Sequence, residues 1–227
     1  MILNRTFFIL GSVFSLTSSL YAAALSPAQS VQSPANNSCA SLSQNYPNSK
    51  EGAQKLIQDL MQCAQGIAAS AQKNQTQLLS IIENCFDVEH MAQKVLGTYR
   101  SSLTPDIQAS YYKIFKDSTL ATYSQRFFAF NLKKFAIKSA EKDTDTNNGW
   151  IVLSEVTPNS ADAQPIQLKW SILQVNNKLL ISDITLQDEG LSLTQLIRDD
   201  FKEILTGATS LKPLMDELNK RLAAANK

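Results

Sequence analysis

The chain has 227 residues, of which 18% are charged and 44% are hydrophobic, and its formal net charge at pH 7 is +1. This length is enough for one large domain and too short for three. A nearly neutral chain lacks the basic excess that gives nucleic-acid-binding proteins most of their affinity, so the composition argues against nucleic acid as a partner.

The N-terminus has the features of a secretory signal peptide. Arg5 supplies a positive charge, residues 7–20 form an apolar stretch diluted by Ser, Thr and Gly, and residues 22–24 are three alanines that give an A-x-A cleavage site. A transmembrane helix needs about 20 apolar residues, and this stretch is shorter. We therefore predict a signal peptide at residues 1–24. Its removal leaves 203 of the 227 residues, and the loss of Arg5 lowers the formal charge from +1 to 0.

The next segment differs in composition from the rest of the chain. Residues 25–48 contain no charged side chain and are rich in Ser, Ala, Gln, Asn and Pro. Such a composition is typical of a flexible segment. We predict a flexible leader at residues 25–48, followed by a single folded domain at residues 49–225.

The three cysteines, Cys39, Cys63 and Cys85, allow at most one internal disulfide. Two helices are predicted at residues 51–71 and 76–85, and in an antiparallel hairpin Cys63 and Cys85 would lie at matching heights. We favour a disulfide between Cys63 and Cys85, while a bridge from Cys39 and free buried thiols remain alternatives. Three cysteines without neighbouring histidines do not make a zinc site, so no metal is predicted.

A long aromatic helix follows a short helix and a well-specified turn. Thr104 is suited to the N-cap, Pro105 to the first helical position and Asp106 to the positive end of the helix dipole, so a helix should begin at Pro105. Apolar residues then recur at steps of mostly three and four residues and form one broad stripe along the helix. They are Ile107, Tyr111, Tyr112, Phe115, Leu120, Tyr123, Phe127 and Phe130.

The second half of the domain changes from a helical to a strand pattern. Four apolar segments at residues 135–142, 150–156, 166–175 and 179–186 alternate and are separated by turn-rich breaks, which predicts an antiparallel meander. Asn176 and Asn177 lie between the last two segments and favour a two-residue hairpin.

Two further helices should follow the sheet, at residues 193–205 and 211–222. Ser192 is a plausible N-cap for the first, and Gly207 closes it. Helices at both ends of an antiparallel sheet predict an α+β fold on a single domain, with a four-stranded sheet packed against several helices. An apolar cavity between sheet and helices, in a shape that is NTF2-like in general terms, would leave room for an apolar ligand.

Little in the sequence points to catalysis. The single histidine, His90, lies in a polar stretch, and there is no G-x-S-x-G, G-x-G-x-x-G or P-loop motif. Asp183, Asp188 and Glu189 are the best carboxylates for acid–base work, but alternation places Asp183 opposite Ile184, towards solvent. We therefore predict no catalytic residues, no cofactor and no enzymatic activity.

Two sequence blocks resemble the MlaC family, also called the toluene-tolerance or auxiliary phospholipid-transport family. The first is similar to the family's F-D, V-L-G-x-Y/W, T-P-x-x-Q and aromatic T-Y elements. It consists of Phe86, Asp87, Val95, Leu96, Gly97, Tyr99, Thr104, Pro105, Gln108, Tyr112, Phe115, Thr122 and Tyr123. The second is similar to the family's D, G-V-S-L and R-x-x-F elements. It consists of Asp183, Gly190, Ser192, Leu193, Arg198 and Phe201.

This resemblance covers about residues 51–222 and implies a function. Members of the family are periplasmic carriers that hold a phospholipid by its acyl tails, so the bound cargo would be a phospholipid. They exchange it with an inner-membrane ABC transporter complex and an outer-membrane lipoprotein, which would be the partners of this chain. The family therefore implies a periplasmic location and a role in outer-membrane lipid asymmetry.

The residues that contact the lipid are predicted from amphipathic position alone. The helices contribute Val95, Tyr99, Tyr112, Phe115, Tyr123 and Phe127. The sheet contributes Ile151, Leu153, Leu168, Trp170, Ile172 and Ile184. Two alternatives remain: a hopanoid-associated carrier of the same family, which would need a wider and flatter pocket, and a small NTF2-like enzyme, which would need a buried carboxylate within the cavity.

Overall fold

A computed structural model describes Cys39, Leu42 and residues 45–69, 75–129, 132–146, 148–160 and 162–225. Side chains at 68–69, 75–79, 119–129 and 225 lie outside this description. The predicted signal peptide, most of the predicted leader and the predicted turn at residues 73–75 fall largely outside the described residues. All of the described residues belong to a compact unit that spans Ser33–Lys227.

Helices flank the sheet in sequence, as the α+β prediction requires. The α-helices are α1 (Lys50–Ala69), α2 (Gln75–Cys85), α3 (Val88–Leu96), α4 (Pro105–Ala129), α5 (Leu193–Leu205) and α6 (Lys212–Ala225), with a 3₁₀ helix at Gly97–Ser102. The strands are β1 (Leu132–Lys142), β2 (Gly149–Pro158), β3 (Ile166–Val175), β4 (Lys178–Leu186) and β5 (Leu191–Ser192). The α+β prediction is confirmed, with one short strand more than expected.

The sheet is an antiparallel meander in the order β1-β2-β3-β4-β5. The predicted hairpin between β3 and β4 is present, with Asn176 at φ 49° and Asn177 at φ 64°. Two consecutive residues with positive φ are characteristic of the type I′ turn, whose twist matches that of the strands it joins, and asparagine tolerates this conformation.

The turns into α4 and α5 illustrate two kinds of helix start. Helix α4 begins at Pro105 as predicted, but the Thr104 hydroxyl donates a hydrogen bond to the carboxylate of Asp106. This hydrogen bond is the main reason that the pKa of the exposed Asp106 lies below its ordinary value. At α5, Ser192 is the expected N-cap, and its hydroxyl accepts a hydrogen bond from the Gln195 amide at 3.2 Å.

The described residues form two apolar clusters. The first joins α1, α2 and one face of the sheet, around Leu56, Ile57 and Ile181. The second joins α3, α4, α5 and α6, around Tyr111 and Phe115. In this second cluster the Tyr111 side chain is fully buried, and its hydroxyl donates a hydrogen bond to the Ala92 carbonyl at 2.8 Å, which ties α4 to α3.

The predicted disulfide is wrong. Cys39 is bonded to Cys63, with 4.7 Å between their Cα atoms, and Cys85 is a free, buried thiol. Antiparallel packing placed Cys63 and Cys85 at similar heights in the prediction, but a disulfide also needs the two Cβ atoms to face each other.

The segment that leads into α1 packs on the domain. Leu42 is 3% exposed and Tyr46 is 5% exposed, and the Tyr46 hydroxyl donates a hydrogen bond to the buried Asp59 carboxylate at 3.0 Å. Asn48 accepts a hydrogen bond from the Trp150 indole at 2.7 Å. The packed part of the chain therefore extends beyond the predicted boundary at residue 49, at least to Cys39.

Candidate functional site

One face of the sheet, here called the inner face, carries the side chains that pack against α1 and α2. Strand β2 shows the alternation clearly, because Trp150, Val152 and Val156 are buried while the residues between them are half-buried. Residues paired directly across antiparallel strands point to the same side of a sheet. The register therefore extends the inner face to Ala140 on β1, Trp170 and Ile172 on β3, and Ile181 and Ile184 on β4.

The inner face is filled at one end, here called the closed end. Trp150, Ile172 and Ile181 lie side by side on neighbouring strands, and their exposed fractions are 8%, 0% and 0%. Asn48, in the segment before α1, accepts a hydrogen bond from the Trp150 indole and donates one to the Gln174 side chain. The segment before α1 therefore helps to close this end of the sheet.

At the opposite end of the inner face, here called the open end, the middle strand is covered, because Ser154 and Val156 are each 1% exposed. The flanking strands β1 and β3 are only partly covered there. Ile137, Ser154 and Leu168 are directly paired neighbours, and both of the apolar side chains remain half-buried. Further half-buried apolar residues surround them. They are Leu132, Phe135, Ile166 and Ile184. Apolar surface that a fold leaves partly uncovered is where an apolar ligand gains binding energy.

A hydrogen bond fixes the floor of the open end. The Trp170 side chain is 4% exposed, and its indole N–H donates to the Ser154 hydroxyl at 2.8 Å. Because Ser154 is itself 1% exposed, this bond pairs two polar atoms within an otherwise apolar region. The bond therefore fixes the orientation of the buried indole ring.

The open end meets the surface at a groove between α1 and β1. Its volume is about 400 Å³, and its lining residues are Gln54, Lys55, Gln58 and Ile137. A second open groove of about 480 Å³ lies between α3 and α4. Its lining residues are Glu89, Pro105, Gln108, Ala109 and Tyr112. Only the first of these two grooves includes a residue of the inner face.

The predicted sheet residues divide between the two faces. Leu168, Trp170, Ile172 and Ile184 lie on the inner face, and of these Ile172 belongs to the filled closed end. Ile151 and Leu153 lie on the other face, where their cross-strand partners on β3 are Ser171 and Lys169. The sequence pattern of β2, in which every residue from Trp150 to Leu153 is apolar, could not reveal which alternate set faces the helices.

The predicted helical residues belong to the second apolar cluster. Val95 and Phe115 are 0% and 1% exposed and pack within it, whereas Tyr99 and Tyr112 are half-buried at its border. The side chains of Tyr123 and Phe127 lie outside the described residues. Val95 and Phe115 therefore fill a helical core rather than line the open end.

Phe135 and Ile137 lie at the open end but were not among the residues predicted from the sequence. Strand β1 has register shifts between Leu132 and Lys134 and between Ile137 and Ser139. Each shift inserts one extra residue, so the spacing of inner-face positions departs from strict alternation along this strand. The aromatic and β-branched character of the two residues was the available signal.

Asp183 is buried, which corrects the prediction that it points to solvent. Its carboxylate accepts hydrogen bonds from Lys94 Nζ at 2.8 Å, from the Ser192 and Thr194 hydroxyls at 2.6 Å, and from the amides of Ile184 and Thr194. Burial alone would raise the pKa of Asp183, but these hydrogen bonds outweigh it and hold the pKa below the ordinary value.

The two buried carboxylates of the described residues both have partners. Asp183 is held by five donors, and Asp59 accepts hydrogen bonds from Tyr46 and from Lys55. Burial, followed by the bond to Asp59, raises the pKa of Tyr46 above its ordinary value. Asp188 and Glu189 are exposed, and His90 is exposed at the start of α3.

In the described part of the chain, no group of three or more His, Cys, Asp or Glu side chains could hold a metal ion. No helix in that part is both long enough and apolar enough to cross a membrane.

Comparison with known proteins identifies the family. Residues 50–220 match the MlaC protein family. The fold is similar to that of a phospholipid-binding protein from Ralstonia solanacearum, solved in complex with a phospholipid, with a TM-score of 0.61 at 19% sequence identity. That alignment covers 77% of this chain and 97% of the other. No curated protein sequence matches the chain at a significant level.

The chain belongs to the MlaC family, since the match spans well over half of its length. Both blocks that carry the resemblance lie within the matched residues. The structure brings the two blocks together, because Arg198 of the second block packs beside Gly97 of the first.

Proposed function

We propose that this chain is a phospholipid carrier that holds the acyl tails against the open end of the inner face. The observation that carries this proposal is the run of half-buried apolar side chains at that end, beside a filled and closed end. Membership of the MlaC family and the similarity of fold to a phospholipid-binding protein support the same proposal.

The energetics explain why such a site is needed. Each methylene group exposed to water costs about 0.8 kcal/mol, so two acyl chains of ordinary length cost on the order of 20 kcal/mol. The half-buried Ile137, Leu168 and Ile184 offer an apolar surface on the sheet. Tyr123 and Phe127, which belong to α4, remain proposed lipid-contacting residues.

The transport role is part of the same proposal. The protein would receive or deliver its lipid at an inner-membrane ABC transporter complex and at an outer-membrane lipoprotein, in the periplasm, after export and removal of residues 1–24. The disulfide between Cys39 and Cys63 supports export, because such bonds persist in oxidising compartments. No catalytic step is proposed, since Asp59 and Asp183 are both engaged in hydrogen bonds.

Native mass spectrometry of the mature protein, purified from a bacterial periplasm without detergent, tests this function. We expect a phospholipid bound in a one-to-one ratio, which lipid extraction then identifies. A co-purified hopanoid would select the hopanoid-associated alternative. Protein that is free of lipid and takes up none from phospholipid vesicles would contradict the proposal.

A further inference from the structure

The groove between α1 and β1 is polar on one side and apolar on the other. Gln54, Lys55 and Gln58 line it from α1, and Ile137 lines it from β1. Ile137 is also a half-buried member of the open end, next to Ser154 and Leu168. The groove is therefore where the apolar inner face meets polar surface, which is the boundary that an amphiphile requires.

The polar side of the groove offers hydrogen-bond donors that are not otherwise used. The side-chain amides of Gln54 and Gln58 make no hydrogen bond to another residue in the described part of the chain. They are four residues apart on α1, so they lie on one side of the helix, one turn apart. Each can direct an N–H group into the groove.

Lys55 adds a donor without adding net charge. Its ammonium lies 2.9 Å and 3.0 Å from the two carboxylate oxygens of Asp59, and its side chain is 57% exposed. An ammonium group has three N–H donors, so one remains for a ligand. The Lys55–Asp59 ion pair has no net charge. The groove can therefore donate hydrogen bonds to an anion, but it has no excess positive charge that would favour anionic headgroups over zwitterionic ones.

We propose that this groove binds the phosphodiester of the phospholipid whose tails occupy the open end, an inference that rests on the proposed function. A phosphodiester has only acceptor oxygens, which suits two amides and an ammonium. These donors contact the group that all glycerophospholipids share, so the site discriminates weakly between terminal headgroup alcohols and clearly against lipids without phosphate. The groove has a volume of about 400 Å³ and is open to solvent, so a bound headgroup would stay in contact with water.

A competition between two lipids with the same tails tests the phosphodiester site. Lipid-free full-length mature protein is incubated with vesicles of phosphatidylcholine that contain equal parts of dioleoylphosphatidylglycerol and dioleoylglycerol. The bound lipids are then extracted and quantified by mass spectrometry. We expect wild-type protein to prefer phosphatidylglycerol by at least about tenfold, as one hydrogen bond to a charged group allows. In the double variant Gln54→Ala/Gln58→Ala the preference should fall below about threefold while total lipid uptake persists.

A matched control separates this effect from a general loss of structure. Gln108→Ala removes a half-buried glutamine from the other groove, between α3 and α4, and should leave the preference unchanged. An unchanged preference in the double variant would overturn the phosphodiester site and leave the carrier function standing. A wild-type protein that binds none of the three lipids, phosphatidylcholine included, would overturn the carrier function itself. Binding of inorganic phosphate alone to the lipid-free protein, measured by calorimetry, would make this a free-phosphate site and overturn its assignment to a lipid headgroup.

Discussion

The Lys94 ammonium lies 2.8 Å from Oδ2 of Asp183, and this ion pair joins α3 to β4 across 89 positions of sequence. The same carboxylate accepts hydrogen bonds from Ser192 and Thr194 at the start of α5. One buried side chain on β4 therefore links this strand to both α3 and α5.

Asp183→Asn should destabilise the protein by about 3 kcal/mol, because it leaves the donors around the site without a charged partner. Lys94→Met should cost less, about 1 kcal/mol, since the Lys94 side chain is 38% exposed and four other donors still hold the carboxylate. Urea unfolding of both variants measures the difference. An equal loss of unfolding free energy in the two variants would contradict a larger contribution from the hydrogen bonds of Ser192, Thr194 and Ile184 than from the Lys94 ion pair.

The same group predicts a pH dependence of stability. The pKa of Asp183 in the folded protein lies below its ordinary value of 3.8, so the unfolded chain binds the proton more tightly. The contribution is therefore fully present above that ordinary value and is lost as the pH falls through the lower, folded pKa. The free energy of unfolding, measured with urea, should fall less between about pH 6 and pH 3 in Asp183→Asn than in the wild type. A variant at the exposed Asp188 should show the same fall as the wild type.

The disulfide should connect Cys39 with Cys63, and its removal should destabilise the protein. The bridge closes a loop with a sequence separation of 24, for which the chain-entropy estimate is about 3 kcal/mol. Non-reducing peptide mapping identifies the pair, and urea unfolding of Cys39→Ser/Cys63→Ser measures the loss. A peptide that links Cys63 to Cys85 would contradict the structure.

The thiol of Cys85 should be unreactive in the folded protein. Its side chain is fully buried, and burial raises its pKa to about 12, so almost no thiolate is present at neutral pH. A thiol reagent added to oxidised protein should label no cysteine in buffer and one cysteine in denaturant. Rapid labelling of the folded protein would show that the cluster around Cys85 opens readily.

Leu168→Gln should reduce phospholipid binding by about tenfold, because it places an amide on the proposed tail surface without a partner. Leu153→Gln is the matched control, since Leu153 is also a half-buried leucine but lies on the opposite face of the sheet. Lipid occupancy of both variants, purified in the same way, is compared by native mass spectrometry. Similar losses in both variants would argue against the open end as the tail site.

Gly97→Ala should cost about 2 kcal/mol of stability. Gly97 has φ +54° and ψ −122°, a conformation that residues with a Cβ rarely adopt, and a Cβ there would lie 3.4 Å from Arg198 Cδ. Since 3.4 Å is an ordinary van der Waals distance, the loss should come from the backbone conformation and not from a clash. Thermal unfolding measures this loss, and an unchanged melting temperature would contradict it.

Much of the architecture was predictable because it depends on local rules. The start of α4 at Pro105, the N-cap at Ser192 and the hairpin at Asn176 and Asn177 each follow from the conformational preference of one or two residues. The candidate site was only partly predictable. Leu168, Trp170 and Ile184 lie on the inner face as expected, whereas Leu153 does not, and Ile137 was missed beside a register shift.

The sequence by itself determined the α+β fold, the antiparallel meander and the family, because periodicity, turn chemistry and motif order are all readable along one chain. Only the tertiary structure decided the pairing of Cys39 with Cys63, the burial of Asp183, and which half of the inner face stays uncovered. These features depend on which elements meet in space, and contacts between distant residues follow from packing rather than from local preference.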